Sequence, residues 1–340
     1  EQIDHFTEGM SAAGSGHLDI DLSIPLEEAK LKDSKVAGTY RFANNEVTVD
    51  AALPPLRQVN GSLRFSGNDL SVPEINASLF GGPLKIRGGL QKDGRVLITA
   101  DGSADIAQLR RQTAHPALAA LSGATPYRGE IRINGRNADL VVESNLVGLA
   151  STLPEPFAKA SGEALPLRFE KRLLPAAGNG ARTDAEVRDQ IDATLGSLLS
   201  AQVVRRRTPD GFVPERGAVA VGRALRLPEK GLAFGVTAKR LDLDAWRRLF
   251  DAAPAGEQGG AASAWAPDVV AVQAGELLVR GMAWNDVDLS AAAAQGQWKI
   301  RLDSRQAAGD LTWNGAGNGR LVARLARLAV ERLPSQSGTE

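Results

Sequence analysis

Cysteine is absent from this chain, which excludes a disulfide framework, a thiolate nucleophile and any Cys-ligated metal, and fits oxidising and reducing compartments alike. Histidine is scarce. His5, His17 and His115 show no metal-ligand spacing, so no metal site and no cofactor is expected. Aromatic residues are few: 9 Phe, 5 Trp and 2 Tyr in 340 residues cannot furnish the two girdles of a membrane barrel. No apolar run approaches the roughly 18 residues of a transmembrane helix. The opening EQIDHFTEGM lacks a basic-then-apolar signal region, and the chain begins at Glu, so it reads as an interior segment whose targeting elements lie elsewhere. Excess charge is also missing. Forty Lys plus Arg balance forty Asp plus Glu, which leaves no electrostatic footprint for nucleic acid or an anionic membrane surface.

What the sequence has is glycine (36), proline (17) and short segments in which apolar and polar residues alternate. HLDIDLSIPL places Leu18, Ile20, Leu22 and Ile24 on one face and Asp19, Asp21 and Ser23 on the other, the period of a half-buried strand. Further strands are expected over 38–42 and 46–53 around an Asn44-Asn45 turn, over 59–90 with reversals at Gly67 and Gly81-Gly82-Pro83, and over 96–100. Others follow over 127–133 and 138–144 about Asn134-Gly135, then at 165–169, 191–195, 219–221, 232–238 and 308–313. Helical spacing predicts short helices near 103–122 and 154–160 and over 244–250, the last capped by Asp242 or Asp244. The segment 320–333 is ambiguous. Leu321, Leu325 and Leu328 have helical spacing.

Sliding Val59–Leu90 by 214 positions lays Leu63 on Leu277, Gly67 on Gly281, Ile75 on Leu289 and Lys85-Ile86-Arg87 on Lys299-Ile300-Arg301, a repeated β unit. The organisation expected is a β segment over 1–172, a loop over 173–184, a β segment over 185–251, a linker over 252–263 and the second copy of the unit over 264–340.

Motifs that could carry chemistry have plainer readings. Gly315-Ala-Gly317-Asn-Gly319 lacks the spacing and the βαβ context of a dinucleotide fingerprint and reads as a turn. Asn60-Gly-Ser and Asn76-Ala-Ser fit glycosylation sequons but read as turns. Arg205-Arg206-Arg207 reads as a solvated strand end or edge guard. No cluster of nucleophile, base and orienting group is visible, so the chain is not expected to be an enzyme.

A chain made mostly of strands with one apolar face poses a covering problem, for the few short helices cannot cover so much sheet. A second sheet, closure into a barrel, or an apolar ligand lying in an open groove would each answer it. The segments LPPLRQVNGSLRFSGNDLSVPEINASLFGGPLKIRGGL, PALAALSGATPYRGEIRI, LPEPFAKASGEALPLRFE, RGAVAVG, LDLDAW and GDLTWNGAGNGRLVARLARLAV together resemble the YhdP family of AsmA-like proteins of Gram-negative bacteria. The resemblance implies a mainly β fold: an elongated, curled antiparallel sheet forming a hydrophobic groove, with a few short helices and a strand over 320–333. It also implies anchorage in the inner membrane through an element not present in this chain, a periplasmic location, and conduction of phospholipids towards the outer membrane. Phospholipid acyl chains are then the implied partner, without nucleic acid; further envelope protein partners stay unknown. The implied groove lining is Leu18, Ile20, Leu22, Ile24, Val47, Val49, Leu63, Phe65, Leu84, Ile86, Val96, Ile98, Ile131, Ile133, Leu232, Phe234, Val236, Val279, Trp298 and Ile300. The alternative is a structural or scaffolding envelope protein with closed sheet packing and protein partners.

Overall fold

The computed structural model describes residues 11–24, 35–48, 54–67, 69–113, 115–134, 137–174, 187–208, 211–251, 265–315 and 319–329. Outside these fall His5, Val49, Gly135, the linker expected over 252–263, most of the loop over 173–184 and the centre of the Gly315–Gly319 run.

Nineteen strands account for most of the described chain: β1 (Ser11–Ser23), β2 (Lys35–Thr48), β3 (Leu56–Ser66), β4 (Asp69–Leu79), β5 (Gly82–Leu90), β6 (Val96–Asp105), β7 (Leu121–Asn134), β8 (Asn137–Ser144), β9 (Leu149–Ser151), β10 (Leu167–Leu173), β11 (Arg188–Leu195), β12 (Leu199–Thr208), β13 (Gly211–Val221), β14 (Gly231–Asp242), β15 (Val269–Val279), β16 (Met282–Ala294), β17 (Gln297–Asp303), β18 (Ala307–Asn314) and β19 (Arg320–Leu328). Three short helices interrupt them: α1 (Ile106–Gln112), α2 (Pro116–Ala119) and α3 (Leu243–Asp251). The chain forms two compact units. The first comprises Glu1–Ser151, Lys159–Gly178 and Asp189–Ala193; the second Thr152–Ala158, Asn179–Arg188 and Thr194–Glu340.

In the first unit β1 to β8 pair antiparallel in chain order, and β10 joins the free side of β8. The second unit pairs β12 with β13 antiparallel, β13 with β14 and β14 with β15 parallel, and β15 to β19 antiparallel. The sheet is therefore mixed rather than wholly antiparallel. Its two parallel steps coincide with the long connections over 222–230 and 243–268, the second of which carries α3; a strand that must start again from its neighbour's starting end needs such a crossover, whereas a tight turn gives a hairpin. Phe80-Gly81, Arg280-Gly281 and Gln295-Gly296 are such turns, both residues of each having positive φ, which matches the strand twist.

The repeat seen in the sequence is structural: β3, β4 and β5 shifted by 214 positions fall on β15, β16 and β17. Several expectations are corrected. Asn44-Asn45 is not a turn; β2 continues through it as a bulge, with Asn44 at φ 55 and Asn45 Oδ1 accepting from Ala43 N at 2.8 Å. The tolerance of Asn for left-handed backbone serves a bulge as well as a turn. No helix forms over 154–160, which is a turn containing a cis Glu155-Pro156 bond. Segment 320–328 is strand β19. Its pairing with β18 shifts between Ala308 and Gly309, so Leu321 and Leu325 keep the period of two while Leu328 is returned to their face by the extra residue. A strand with one bulge thus imitates helical spacing. Arg205 is no edge residue either: it is 6% exposed and lies 4.7 Å from the Phe212 ring centroid.

Candidate functional site: an apolar face in each unit

Residues directly opposite across a ladder point to the same side, so the registers give the composition of each face. In the first unit one row runs Gly16, Phe42, Gly61, Ile75, Ile86, Ala100, Gly129, Val142, Phe169 across nine strands. Flanking rows carry Ile20, Gly38, Phe65 and Leu70 and Leu90, Val96, Ile133 and Ala138. From β1 to β8 no ladder-paired position on this face is an Asp, Glu, Lys, Arg or His. The opposite face is the reverse. Its row Lys85, Asp101, Arg128, Glu143, Arg168 alternates in sign from strand to strand, and Arg87 donates to Glu74 at 2.5 Å. Donation from Arg87 holds the Glu74 carboxyl below the usual carboxylate range.

The second unit repeats the arrangement. Ala201, Val219, Phe234, Val270, Ala291, Ile300, Leu311 and Ala323 form one row, and Leu199, Val221, Val236, Val272, Leu289, Leu302, Gly309 and Leu325 the next. Trp298, Trp313 and Leu321 continue the face at its far side. On the other face Arg301 meets Asp310 at 3.4 Å.

Every described residue of the lining set thus lies on one of these two faces. Leu18, Ile20, Leu22, Val47, Leu63, Phe65, Leu84, Ile86, Val96, Ile98, Ile131 and Ile133 share the first unit's face, with Ile24 next beyond β1 on the same alternation; Leu232, Phe234, Val236, Val279, Trp298 and Ile300 share the second's. Their exposure differs. Val47, Leu84 and Val236 are buried, while Leu18, Ile20, Leu22, Ile24 and Phe234 are exposed and the others intermediate. The sequence reading missed Tyr40, Leu140, Phe169, Val219, Leu311 and Trp313; the same period of two marks them, but bulges or glycine neighbours break it locally.

Burial on these faces comes from lateral contacts. Val47, Val59, Val72 and Ile75 cluster with Phe42, Leu56, Leu63, Ala77 and Ile86, all from adjacent strands. In the second unit Val221, Val236, Leu241, Ala274, Leu277 and Val287 cluster in the same way, but Trp246 of α3 and Phe157 also pack on them, the two rings edge to face at 5.7 Å. Helix α3 is held at the strand ends by two carboxylates with separate duties. Asp242 Oδ1 accepts from Ala245 N at 2.7 Å and caps the helix, whereas Asp244 accepts from Arg280 N and Gly281 N, each at 2.7 Å. These two backbone donors depress the Asp244 pKa. In the first unit Asp105 caps α1 by accepting from Gln108 N at 3.1 Å, and Arg110 donates to Leu118 O and Ala119 O at the end of α2.

The polar groups on the faces are few. Tyr127 Oη and Trp284 Nε1 are buried without a hydrogen-bond partner among the described residues, and burial raises the Tyr127 pKa. Lys171, opposite Leu140, is the first cation met on the first unit's face, and its Nζ lies 3.7 Å from Asp189 Oδ2, which is fully buried. Among the described residues no cluster of His, Asp and Glu could hold a metal, and no helix is long and apolar enough to cross a membrane.

A family model described as YhdP protein matches residues 1–340. The chain belongs to the YhdP family. Over 161 residues it is 26% identical to the intermembrane phospholipid transporter YhdP of Escherichia coli (strain K12), an alignment covering 45% of this chain and 12% of that protein. The chain therefore matches only a small part of that YhdP relative. No solved structure matches it.

Proposed function

We propose that each apolar face is the floor of a groove along which phospholipid acyl chains pass, the chain being an interior segment of a longer periplasmic protein tethered to the inner membrane. The observation that carries this is the absence of any Asp, Glu, Lys, Arg or His from this face's ladder rows of β1 to β8, on a face many of whose aliphatic residues stay partly or largely exposed. A face meant for water would not keep this composition, and a face meant for a sealed core would not keep this exposure. The transporter named in the comparison supplies the class of cargo.

Burying a methylene is worth about 0.8 kcal/mol, so an acyl chain of about sixteen carbons laid fully out of water gains on the order of 10 kcal/mol before ordering costs. Moving from Ile86 to Ile98 to Ile131 exchanges one aliphatic contact for another and forfeits little of that gain. Passage then needs no nucleophile, base or cofactor from this segment. The alternating charges on the reverse face keep it in water and direct the lipid to the other side. Native mass spectrometry of the purified chain tests the reading: co-purified phospholipid, lost on delipidation and regained from vesicles, is expected, and a chain that never carries lipid would contradict it.

A further inference from the structure

The first unit's apolar face carries one hydroxyl that the chain does not pair. Tyr127 Oη, Trp284 Nε1 and Arg223 Nη1 are buried without a hydrogen-bond partner among the described residues, and of these only Tyr127 lies on that face, in the row Leu84, Gly102, Tyr127. Its ring is laid on a glycine. A Cβ at Gly102 would stand 2.6 Å from both Cζ and Oη of Tyr127 and 2.9 Å from Leu84 Cδ1, and the Phe80 ring meets the Tyr127 ring edge to face at 5.6 Å. The polar side chains on β6, β7 and β8 around it are engaged elsewhere. Ser144 Oγ donates to Pro126 O at 2.7 Å, accepts from Leu146 N at 3.0 Å and lies 3.3 Å from Thr125 Oγ1, while Ser103 Oγ donates to Thr125 O at 3.5 Å.

Buried donors in native chains are nearly always paired, and an orphan marks strain or a place that a group from outside the chain takes. Nothing interlocks with the Tyr127 ring on the side where it rests, since Gly102 has no side chain, and the residue as a whole is only partly buried. The ring can therefore lift from the floor and turn its hydroxyl to the open face. We propose, on the lipid reading above, that Tyr127 Oη donates a hydrogen bond to an acyl ester carbonyl of a glycerolipid, which makes Tyr127 the position where the first unit's floor holds the glycerol end of the lipid. A neutral donor suits a neutral acceptor here. The ladder rows of this face from β1 to β8 hold no Lys, Arg or His, so a phosphate brought to Tyr127 would meet no counter-charge, whereas an ester carbonyl needs only a donor. The adjoining rows, Ile86, Ala100 and Gly129, then Ile98 and Ile131, offer the acyl chain its aliphatic surface. Tyr40, the other tyrosine of the chain, lies on the same face over Gly16, whose Cβ would stand 2.1 Å from its Oη, but its hydroxyl is not among the buried unpartnered groups. It serves as the control.

The test offers the whole purified chain mixed vesicles of diester phosphatidylcholine and its diether analogue, equal in headgroup and hydrocarbon length, and reads the bound ratio by native mass spectrometry. The diether lipid has no carbonyl. The wild type should retain the diester in preference by about fivefold, the net worth of one hydrogen bond. Tyr127→Phe should lower diester retention to the diether level and leave diether retention unchanged, and Tyr40→Phe should keep the preference. Thermal melting of Tyr127→Phe should not fall, because the hydroxyl has no internal partner to lose. A wild type without preference overturns the proposal, as does a Tyr127→Phe variant that keeps it. Equal loss of both lipids in that variant would place the acceptor on the phosphate and overturns it too, and a variant that melts lower or unfolds would show that the hydroxyl serves the fold. A wild type that retains neither lipid contradicts the lipid reading itself, an outcome distinct from retention of both without preference.

Discussion

The two hydrophobic clusters have one composition and two fates. In the first unit Val47, Val59, Val72 and Ile75 are buried by neighbouring strands alone; in the second Val221, Val236, Leu241 and Leu277 also lie beneath Trp246 and Phe157. Along the same ladder direction, one row away from Val236, Phe234 is 36% exposed. The same aliphatic alphabet therefore serves two purposes, and what separates them is whether anything of the chain's own covers it. A roofed stretch contributes to folding. An unroofed stretch is available to a ligand, at the cost of hydrophobic area left in water.

Substitutions that break this contrast should have graded effects. Val236→Asp is expected to cost most, because it places a carboxylate at a position only 4% exposed; about 4 kcal/mol or more follows from burying an unpaired polar group, read as loss of a cooperative denaturation transition. Trp246→Ala should come next, at about 2 kcal/mol, less than the loss for a fully buried tryptophan because this ring is only partly covered. Its signature is unroofing: dye binding at the Val221–Val236–Leu277 cluster should rise while the strand signal in circular dichroism is retained. Ile300→Asp should cost still less, because water reaches that side chain from the open face. Thermal melting should shift by no more than a few degrees, whereas complementation of a transport defect by the longer parent protein should be lost. Ile86→Asp, partly packed on the first cluster, should show the same loss with a somewhat larger stability cost. If Ile300→Asp unfolds the chain, its neighbourhood is roofed after all.

The smallest effect expected concerns acid. The backbone donors of Gly281 and Arg280 hold the folded-state pKa of Asp244 below the ordinary aspartate range, so the unfolded chain takes up the proton first. The contribution of Asp244 is complete above about pH 4 and is lost as pH falls through the folded value. Below that, the Arg280-Gly281 turn should loosen from α3, seen as a change in Trp246 fluorescence that Asp244→Asn shows already at neutral pH.

Much of this was legible in the sequence, and the exceptions have physical causes. HLDIDLS declares its face because nothing disturbs its period of two, and the 214-residue repeat already pairs Ile86 with Ile300. Segment 320–328 misled because Ala323 sits between Leu321 and Leu325 on the same face and a bulge then lengthens the step from Leu325 to Leu328 from two to three, which together imitate helical spacing. Asn44-Asn45 misled because a left-handed residue bends a strand as readily as it reverses one. What a sequence could not display is the roof: Phe157 and Trp246 are 89 positions apart by residue number, and neither carries a sign of its partner. For the same reason Val236 and Phe234 look alike in the sequence although only one is covered.

The central claim, that lipid travels on the apolar faces and not on their reverse, is tested most directly by site-specific photocrosslinking in the parent protein. A photoreactive side chain would be placed in turn at Ile98, Ile131, Phe234 and Ile300 and, as reverse-face controls, at Lys85, Arg132 and Lys299. The account predicts phospholipid adducts at the first four positions and background at the last three; equal labelling of both faces, or adducts confined to Lys85, Arg132 and Lys299, would contradict it.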